Sequence, residues 1–428
     1  MQEHEKIPYD SFAFQEYWGE GMRLPGQSKG LDRWFFQWQW GDRPRTSDNS
    51  DLPKVADPGY YASYVIGAQW FDKAKTLPLV VTTKHGCDRI DFLKMFSVCF
   101  NSGIEAKDFS RIYEVDMEQP RIKAPELRSV LSPLIVAHYL SIVREIAKRG
   151  LKKDYVQRED NLKKVKGRID VFRNERINIQ KKRFDKVFCR YQEYSEDTVE
   201  NRLLKKALVF SQQILQVDGI SESMLALQHT VHECLSAFAN VGDQIEVSEV
   251  KMIKHHKLFK EYDDAIKLAQ MILHRYDYSI TNITTAEEEY CPVFWIDMAM
   301  LYEHYVLGLL REAYGTKIHY QVRGRTGYPD FVCYSPQVVL DTKYIPRFEH
   351  GGIDTYIVRQ LSGYSRDKWI FPTKPDANVP CAIIYPKEGE IENPFKGKRL
   401  EDFLNNEDRC LWNFHRIAVP LPVLNDIR

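Results

Sequence analysis

The run YPDFVCYSPQVVLDTKYI, residues 328–345, holds two short apolar stretches on either side of Pro336, the pattern of a β-hairpin. Ten residues separate Asp330, which follows Pro329, from the Asp341-Thr342-Lys343 triplet. Side chains alternate along a strand, so Asp341 and Lys343 share one face while Thr342 points to the other. A bland reading makes Asp330 a turn cap and Asp341 and Lys343 a surface pair. Against it, the two charges follow Val338-Val339-Leu340 and precede Tyr344-Ile345, and a solvated face poorly explains charges within so apolar a strand. Two carboxylates supply hard oxygen ligands for a divalent cation, which polarises a phosphate and lowers the pKa of water. An ammonium beside them can orient or deprotonate the nucleophile and offset charge in the transition state. A carboxylate followed by carboxylate-x-lysine across a hairpin is thus the order that metal-assisted phosphodiester hydrolysis requires.

Working outward, WIDMAMLYEHYVLGLLREAYG (residues 295–315) reads as an amphipathic helix that carries Glu303, a further carboxylate for the metal shell or its water. TYIVRQLSGYSRD (355–367) reads as a second helix, in which Gln360 and Tyr364 lie four apart and share a face toward the substrate backbone or the site rim. The strands CAIIYP (381–386) and NFHRIAVPL (413–421) follow. The expected fold is α/β: residues 286–428 form a PD-(D/E)xK, restriction-endonuclease-like domain with a mixed sheet flanked by helices.

Residues 121–285 read as a mainly helical connector, with helical spacing in 126–150, 200–215 and 255–273. Between the first two, KGRIDVFRNERINIQKKRFDKVFCRYQEYS (166–195) alternates like a pair of strands. Residues 141–190 hold 17 Lys or Arg against 7 Asp or Glu, a local excess that suits DNA phosphates, an acidic partner or merely a solvated connector. Residues 1–120 read as a strand-rich domain, with LPLVVTT (77–83) a strand and DRIDFLKMFSVCFNSG (88–103) a helix closed by Gly103. The alternating Trp34, Trp38 and Trp40 are read as core packing rather than a base-stacking platform.

The chain's 428 residues suffice for two or three domains, and its net charge of zero excludes a polycation that coats nucleic acid. Its eight cysteines form no CxxC pair, which argues against a zinc ribbon or an iron–sulfur cluster. No histidine pattern implies zinc, and no GxxxxGK[ST] loop implies that this chain binds a nucleotide. With neither a signal-peptide pattern nor a long apolar run, the expected location is cytoplasmic, away from membrane.

Taken together, these segments resemble the McrC subunit of the McrBC modification-dependent restriction systems, including related two-subunit systems of LlaJI type. The resemblance runs from about residue 75 to the end of the chain. It is carried by LPLVVTTKHG, GRID (167–170), CRYQEYSEDTVENRLLKKAL (189–208), IDMAMLYEHYV (296–306), the PD…DTK core, RQLSGY (359–364) and AIIYP (382–386). It implies metal-binding acids at Asp330, Asp341 and Glu303, a catalytic lysine at Lys343, and magnesium, with manganese as a substitute. It implies two partners: double-stranded, modified DNA, and a hexameric AAA+ GTPase of McrB type. Roughly residues 1–200 would engage the pore of that ring and stimulate GTP hydrolysis, residues 1–120 serving as the partner-binding domain. Asp197, Glu200 and Asn201 are expected to cap a helix, Asp197 and Glu200 as a capping box. The expected function is the endonuclease subunit of a GTP-dependent restriction complex. The alternatives are a partner-independent nuclease of RecB/Cas4 type, whose QxxxY motif is shared, and a non-catalytic regulatory subunit of the GTPase.

Overall fold

A computed structural model of the protein describes residues 12–15, 35–38, 59–62, 64–71, 74–83, 90–101, 111–116, 118–124, 127–215, 222–245, 260–281, 290–345, 352–373, 378–388, 393–405, 407–408 and 411–423. Trp34, Trp40 and Gly103, with the side chain of Trp38, lie outside the described set. The chain divides into two compact units. One joins residues 1–137 to 283–428, and the other comprises 138–282.

The first unit holds two five-stranded sheets. In one the order is β1 (Phe12–Gln15), β5 (Pro78–Thr82), β4 (Val65–Trp70), β12 (Val293–Asp297), β6 (Tyr113–Asp116), antiparallel except for β1 against β5. The other is mixed and runs β13 (Ile318–Tyr320), β14 (Phe331–Tyr334), β15 (Gln337–Thr342), β16 (Cys381–Glu388), β17 (Phe414–Leu421). Its first three strands pair antiparallel and its last three parallel. Two-stranded pairs link β2 (Phe35–Trp38) to β3 (Gly59–Ala62) and β7 (Ile122–Lys123) to β11 (Tyr290–Cys291).

The placement of β12 departs from the three-part division of the chain at 120 and 285. This strand, from the segment assigned to the last domain, pairs with β4 and β6 near the N-terminus. It also trims the expected helix: Trp295–Asp297 is strand, and α7 spans Met298–Tyr314. The Asp297 carboxylate accepts from the Met300 amide at 3.0 Å and fixes the start of the helix there. Val293, Phe294 and Ile296 are buried in the sheet, so burial outweighs helical spacing over those residues.

α7 crosses α1 (Phe92–Asn101) with Gly308 at the contact. A Cβ on Gly308 would stand 2.5 Å from the Val98 carbonyl oxygen and 2.6 Å from its Cγ1. Gly308→Val is therefore expected to destabilise the unit by about 1–3 kcal/mol through overpacking, read as a lower midpoint in urea unfolding. On the mixed sheet, α8 (Thr355–Tyr364) lays Ile357, Leu361 and Tyr364 over Val332, Val339, Ile383 and Phe414.

The second unit holds the latter part of α2 (Arg128–Arg149), the strands β8 (Asp154–Leu162), β9 (Arg168–Ile169) and β10 (Val187–Ser195), and three long helices. β10 pairs antiparallel with both β8 and β9. The stretch 166–195, expected as a pair of strands, holds the paired strands β9 and β10, with β9 only two residues long and a short helix α3 (Val171–Asn174) and a π-helical turn Glu175–Ile179 between them. Asp170 accepts from the Arg173 amide and starts that helical turn, and β8, outside the stretch, is the long partner of β10. Part of the basic excess is neutralised within the hairpin, where Arg190 pairs with Glu159 and Asp170, and Lys166 with Glu193.

The expected capping box at Asp197 does not form. Thr198 caps α4 (Val199–Leu215), its hydroxyl accepting from the Asn201 amide at 3.3 Å. Glu200 turns to Lys152 at 2.8 Å. Asn201 is buried, donating to the Lys152 and Glu196 carbonyls and accepting from Tyr262 on α6 (Lys260–Thr281). α5 (Glu222–Ala237) completes the helical group against α4. Among the described residues no helix is long and apolar enough to cross a membrane.

Candidate active site

The hairpin expected at 328–345 forms, turning at Ser335-Pro336 between β14 and β15. Phe331 stands opposite Leu340, so one step further the same register sets Asp330 opposite Asp341, and opposed residues share a face. Asp341 alternates with Val339, which packs under α8. Its carboxylate therefore emerges at the end of that covered face.

Asp341 is 2% exposed and forms an ion pair with the Lys343 ammonium. Its Oδ2 faces that ammonium but takes no directed hydrogen bond. Asp330 accepts through Oδ2 from both the amide (2.7 Å) and the hydroxyl (2.5 Å) of Thr342. Thr342, expected to point away, thus reaches Asp330. The regular ladder of β15 ends at Thr342, and past it Lys343 and Ile345 close a tight turn through Ile345 N–H to Lys343 O. Lys343 remains tied to β16, its amide donating to Ile384 O at 2.8 Å.

Glu303 projects from α7 and accepts from Gln321 Nε2 at 3.1 Å. Gln321 has φ +46°, a left-handed backbone uncommon without glycine. Its amide donates to Asp330 O at 2.9 Å, so one residue links the helix glutamate to the hairpin aspartate. Gln360 and Tyr364 share a helix face as expected and bond each other at 2.9 Å, Gln360 exposed and Tyr364 buried.

The electrostatics tie these groups together. Burial pushes the Asp330 carboxyl well above its usual range, and repulsion from Asp341 and Glu303 adds to it. Burial also raises Glu303, against hydrogen bonds from Tyr320 and Gln321 and with repulsion from Asp341. Asp341 is raised by burial against the attraction of Lys343. For Lys343 burial disfavours the charge, but attraction to Asp341 and Asp330 outweighs it and holds the ammonium above its ordinary value. Three carboxylates and one lysine thus form a single coupled group, open to hard cations and to phosphate chemistry. Among the described residues no three carboxylates, histidines or cysteines stand as a ready-made metal cage, since Asp330 is turned to Thr342 and Asp341 to Lys343. Gln321, Tyr320 and Thr342 were not singled out as site residues from sequence. Thr342 lay inside the motif, whereas nothing in the spacing of Gln321 marked it.

The model of the McrBC 5-methylcytosine restriction system component matches residues 77–360, more than half of the chain. The chain belongs to that family of McrBC restriction-system components. No curated protein matches it. Among solved structures, it is similar to a chain of the refined half-complex from a tetradecameric assembly of Thermococcus gammatolerans McrB AAA+ hexamers with bound McrC. Identity there is 16%, over 97% of this chain and 95% of that chain, with a TM-score of 0.34. A chain of the Thermococcus gammatolerans McrBC complex is 13% identical over 70% of this chain and 87% of its own length, with a TM-score of 0.29.

Proposed function

We propose that this chain is the nuclease subunit of a GTP-driven restriction complex, cutting double-stranded DNA at a PD-(D/E)xK-type site formed by Asp330, Asp341, Lys343 and Glu303. The observation that carries the reading is the convergence of three carboxylates, each raised by burial and two of them, Asp330 and Glu303, also by repulsion from Asp341, around one ion-paired lysine. A divalent cation, magnesium or manganese, fits this donor set. Its ligands would be hard oxygens of Asp330, Asp341 and Glu303, three carboxylates whose negative charge burial disfavours and a bound cation would offset. When bound, such a cation supplies Lewis-acid polarisation of the phosphate and a readier water nucleophile.

The residues of this chain do the rest. Lys343 presents an ammonium to the charge that builds on the phosphate oxygens and orients the attacking water. Asp341 holds that ammonium in place. Gln321 holds Glu303, and Gln360 with Tyr364 forms a polar edge for the DNA backbone. The partner in this reading is an AAA+ GTPase of McrB type, as in the complexes with bound McrC. It supplies DNA recognition and motion, and this chain stimulates its GTP hydrolysis and binds no nucleotide itself. Gating by a partner suits a nuclease that would otherwise attack the host chromosome.

The test is cleavage of modified and unmodified plasmid with magnesium, by the chain alone and with the AAA+ partner and GTP. Cutting only with partner and GTP supports the reading. Cutting by the chain alone means a self-sufficient nuclease, and stimulation of GTP hydrolysis without any cutting means a regulatory subunit.

A milder effect is expected at Gln321. Gln321→Gly keeps the left-handed backbone and removes only the amide that holds Glu303. It is expected to lower cleavage by about 10–100-fold, with partial recovery at high magnesium and no change in stimulated GTP hydrolysis. An unchanged magnesium titration would remove Gln321 from the site.

A further inference from the structure

The loop between β13 and β14, the helix α8 and the turns just past its end carry five cations that the active-site geometry leaves unused: Arg323, Arg325, Arg359, Arg366 and Lys368. All five are exposed, and none is paired with a carboxylate among the described residues. Some exposed cations of this chain are ion-paired, as Arg173 is with Glu159 and Lys166 with Glu193, and others, such as Lys181, Lys182 and Arg183, have no carboxylate partner among the described residues. Five unneutralised cations on adjoining segments make a local basic patch in a chain whose net charge is zero.

The loop and the helix are held together closely enough to form one surface. Asp367, just past the end of α8, accepts from the Thr326 amide at 2.8 Å and from its hydroxyl at 2.9 Å. The loop closes on itself through Gly324 N–H to Gly327 O at 2.8 Å. Gly327 has φ +141° and lies so near Tyr364 that a Cβ would stand 2.9 Å from the phenolic oxygen. On the helix Arg359 and Gly363 lie four residues apart and share a face, Gly363 meets Thr326 of the loop, and Arg366 follows in the turn past the helix end, its amide donating to Gly363 O at 3.3 Å. Asp367, between Arg366 and Lys368 in sequence, is buried and spent on the loop and the Trp369 amide.

This basic ridge runs straight into the proposed active site. The loop leads through exposed Tyr328 to Pro329 and Asp330, and α8 carries the Gln360–Tyr364 pair. The geometry points to the ridge as the track for the sugar–phosphate backbone of the DNA strand entering the site, Arg325, Arg359 and Arg366 each contacting a phosphate. The inference rests on the nuclease reading above and extends it to the residues that seat the substrate. Guanidinium groups favour phosphate oxygens through paired donors, and an exposed tyrosine among them offers a stacking face. An acidic protein surface would also be drawn to the ridge, but docking there would cover the entrance to Asp330 and Asp341.

The experiment uses the full chain with its AAA+ partner, in a Lys343→Met background so that duplex DNA survives. Binding of a fluorescent duplex is titrated at several salt concentrations, for the parent and for Arg325→Gln, Arg359→Gln and Arg366→Gln combined. The slope of log affinity against log salt is expected to shrink by about 0.9 for each lost phosphate contact, so by between two and three in all. The Arg→Lys triple variant should restore the slope, and stimulated GTP hydrolysis should not change. An unaltered slope and affinity would overturn the ridge while leaving the nuclease reading intact. Loss of GTP hydrolysis with DNA binding unaltered would make the ridge a protein interface and overturn the inference. If the parent binds no duplex, the nuclease reading fails and the ridge with it.

Discussion

Lys343→Ala is expected to lower DNA cleavage by about 10²–10³-fold while leaving stimulation of GTP hydrolysis in place. That magnitude is typical when one preorganised charge is removed from where transition-state charge develops. Lys343 is mostly buried, beside Asp341, and its amide is anchored to β16, so its charge is already in position before substrate arrives. The substitution also strands the Asp341 carboxylate, which is 2% exposed, without its cation. Lys343→Met, of similar length and without charge, separates the loss of charge from the loss of packing. Both variants should be inactive in plasmid cleavage, and the methionine variant should melt closer to wild type. Cleavage by either at the wild-type rate would remove Lys343 from the chemistry.

The second large effect is on stability, at Asp197. Its carboxylate accepts from Arg202 through both oxygens at 2.7 Å, from the Gly242 amide at 2.9 Å, and pairs with Arg158 at 2.8 Å. It thereby joins β8, the start of α4 and the turn after α5. Asp197→Asn leaves two arginines facing a neutral amide and is expected to cost about 3 kcal/mol, as when one partner of a buried pair is removed. In a unit of this size that is roughly 6–12 °C in Tm, measurable by circular dichroism. The hydrogen bonds from Arg202 chiefly hold the Asp197 carboxyl well below its ordinary value of 3.8. A carboxylate depressed in the folded state contributes stability that is complete above the unfolded pKa and lost as pH falls toward the folded one. The gap between wild type and Asp197→Asn should therefore be full at pH 6 and narrow below about pH 4. A gap that stays constant down to pH 2 would mean that the network contributes through shape rather than charge.

Legibility from sequence followed the range of the interactions involved. The hairpin at 328–345 was readable because its alternation and turn are local, and β14 and β15 form where that pattern places them. Gln360 and Tyr364 were readable as a shared helix face because a helix repeats within four residues. The strand at Trp295–Asp297 was not, because only its neighbours β4 and β6, far away in sequence, make it one. The stretch 166–195 was legible in part: its pair of strands forms as β9 and β10, but the Asp170 cap turns the residues between them helical and β8, outside the stretch, is the long partner of β10.

By itself the sequence determined the order of the chemistry-bearing groups, Asp330 before Asp341-x-Lys343 with Glu303 upstream and Gln360 and Tyr364 downstream. It also settled the local elements that carry most of them, since turn residues and apolar period act over a few residues. Only the tertiary structure decided which distant segments share a sheet, and that Thr342, rather than an outward-facing bystander, bonds Asp330. It alone brought Gln321 to Glu303 and set the loop arginines beside α8. Those contacts depend on backbone placement across long loops and on which carboxylates are desolvated together, quantities that no short window of sequence contains.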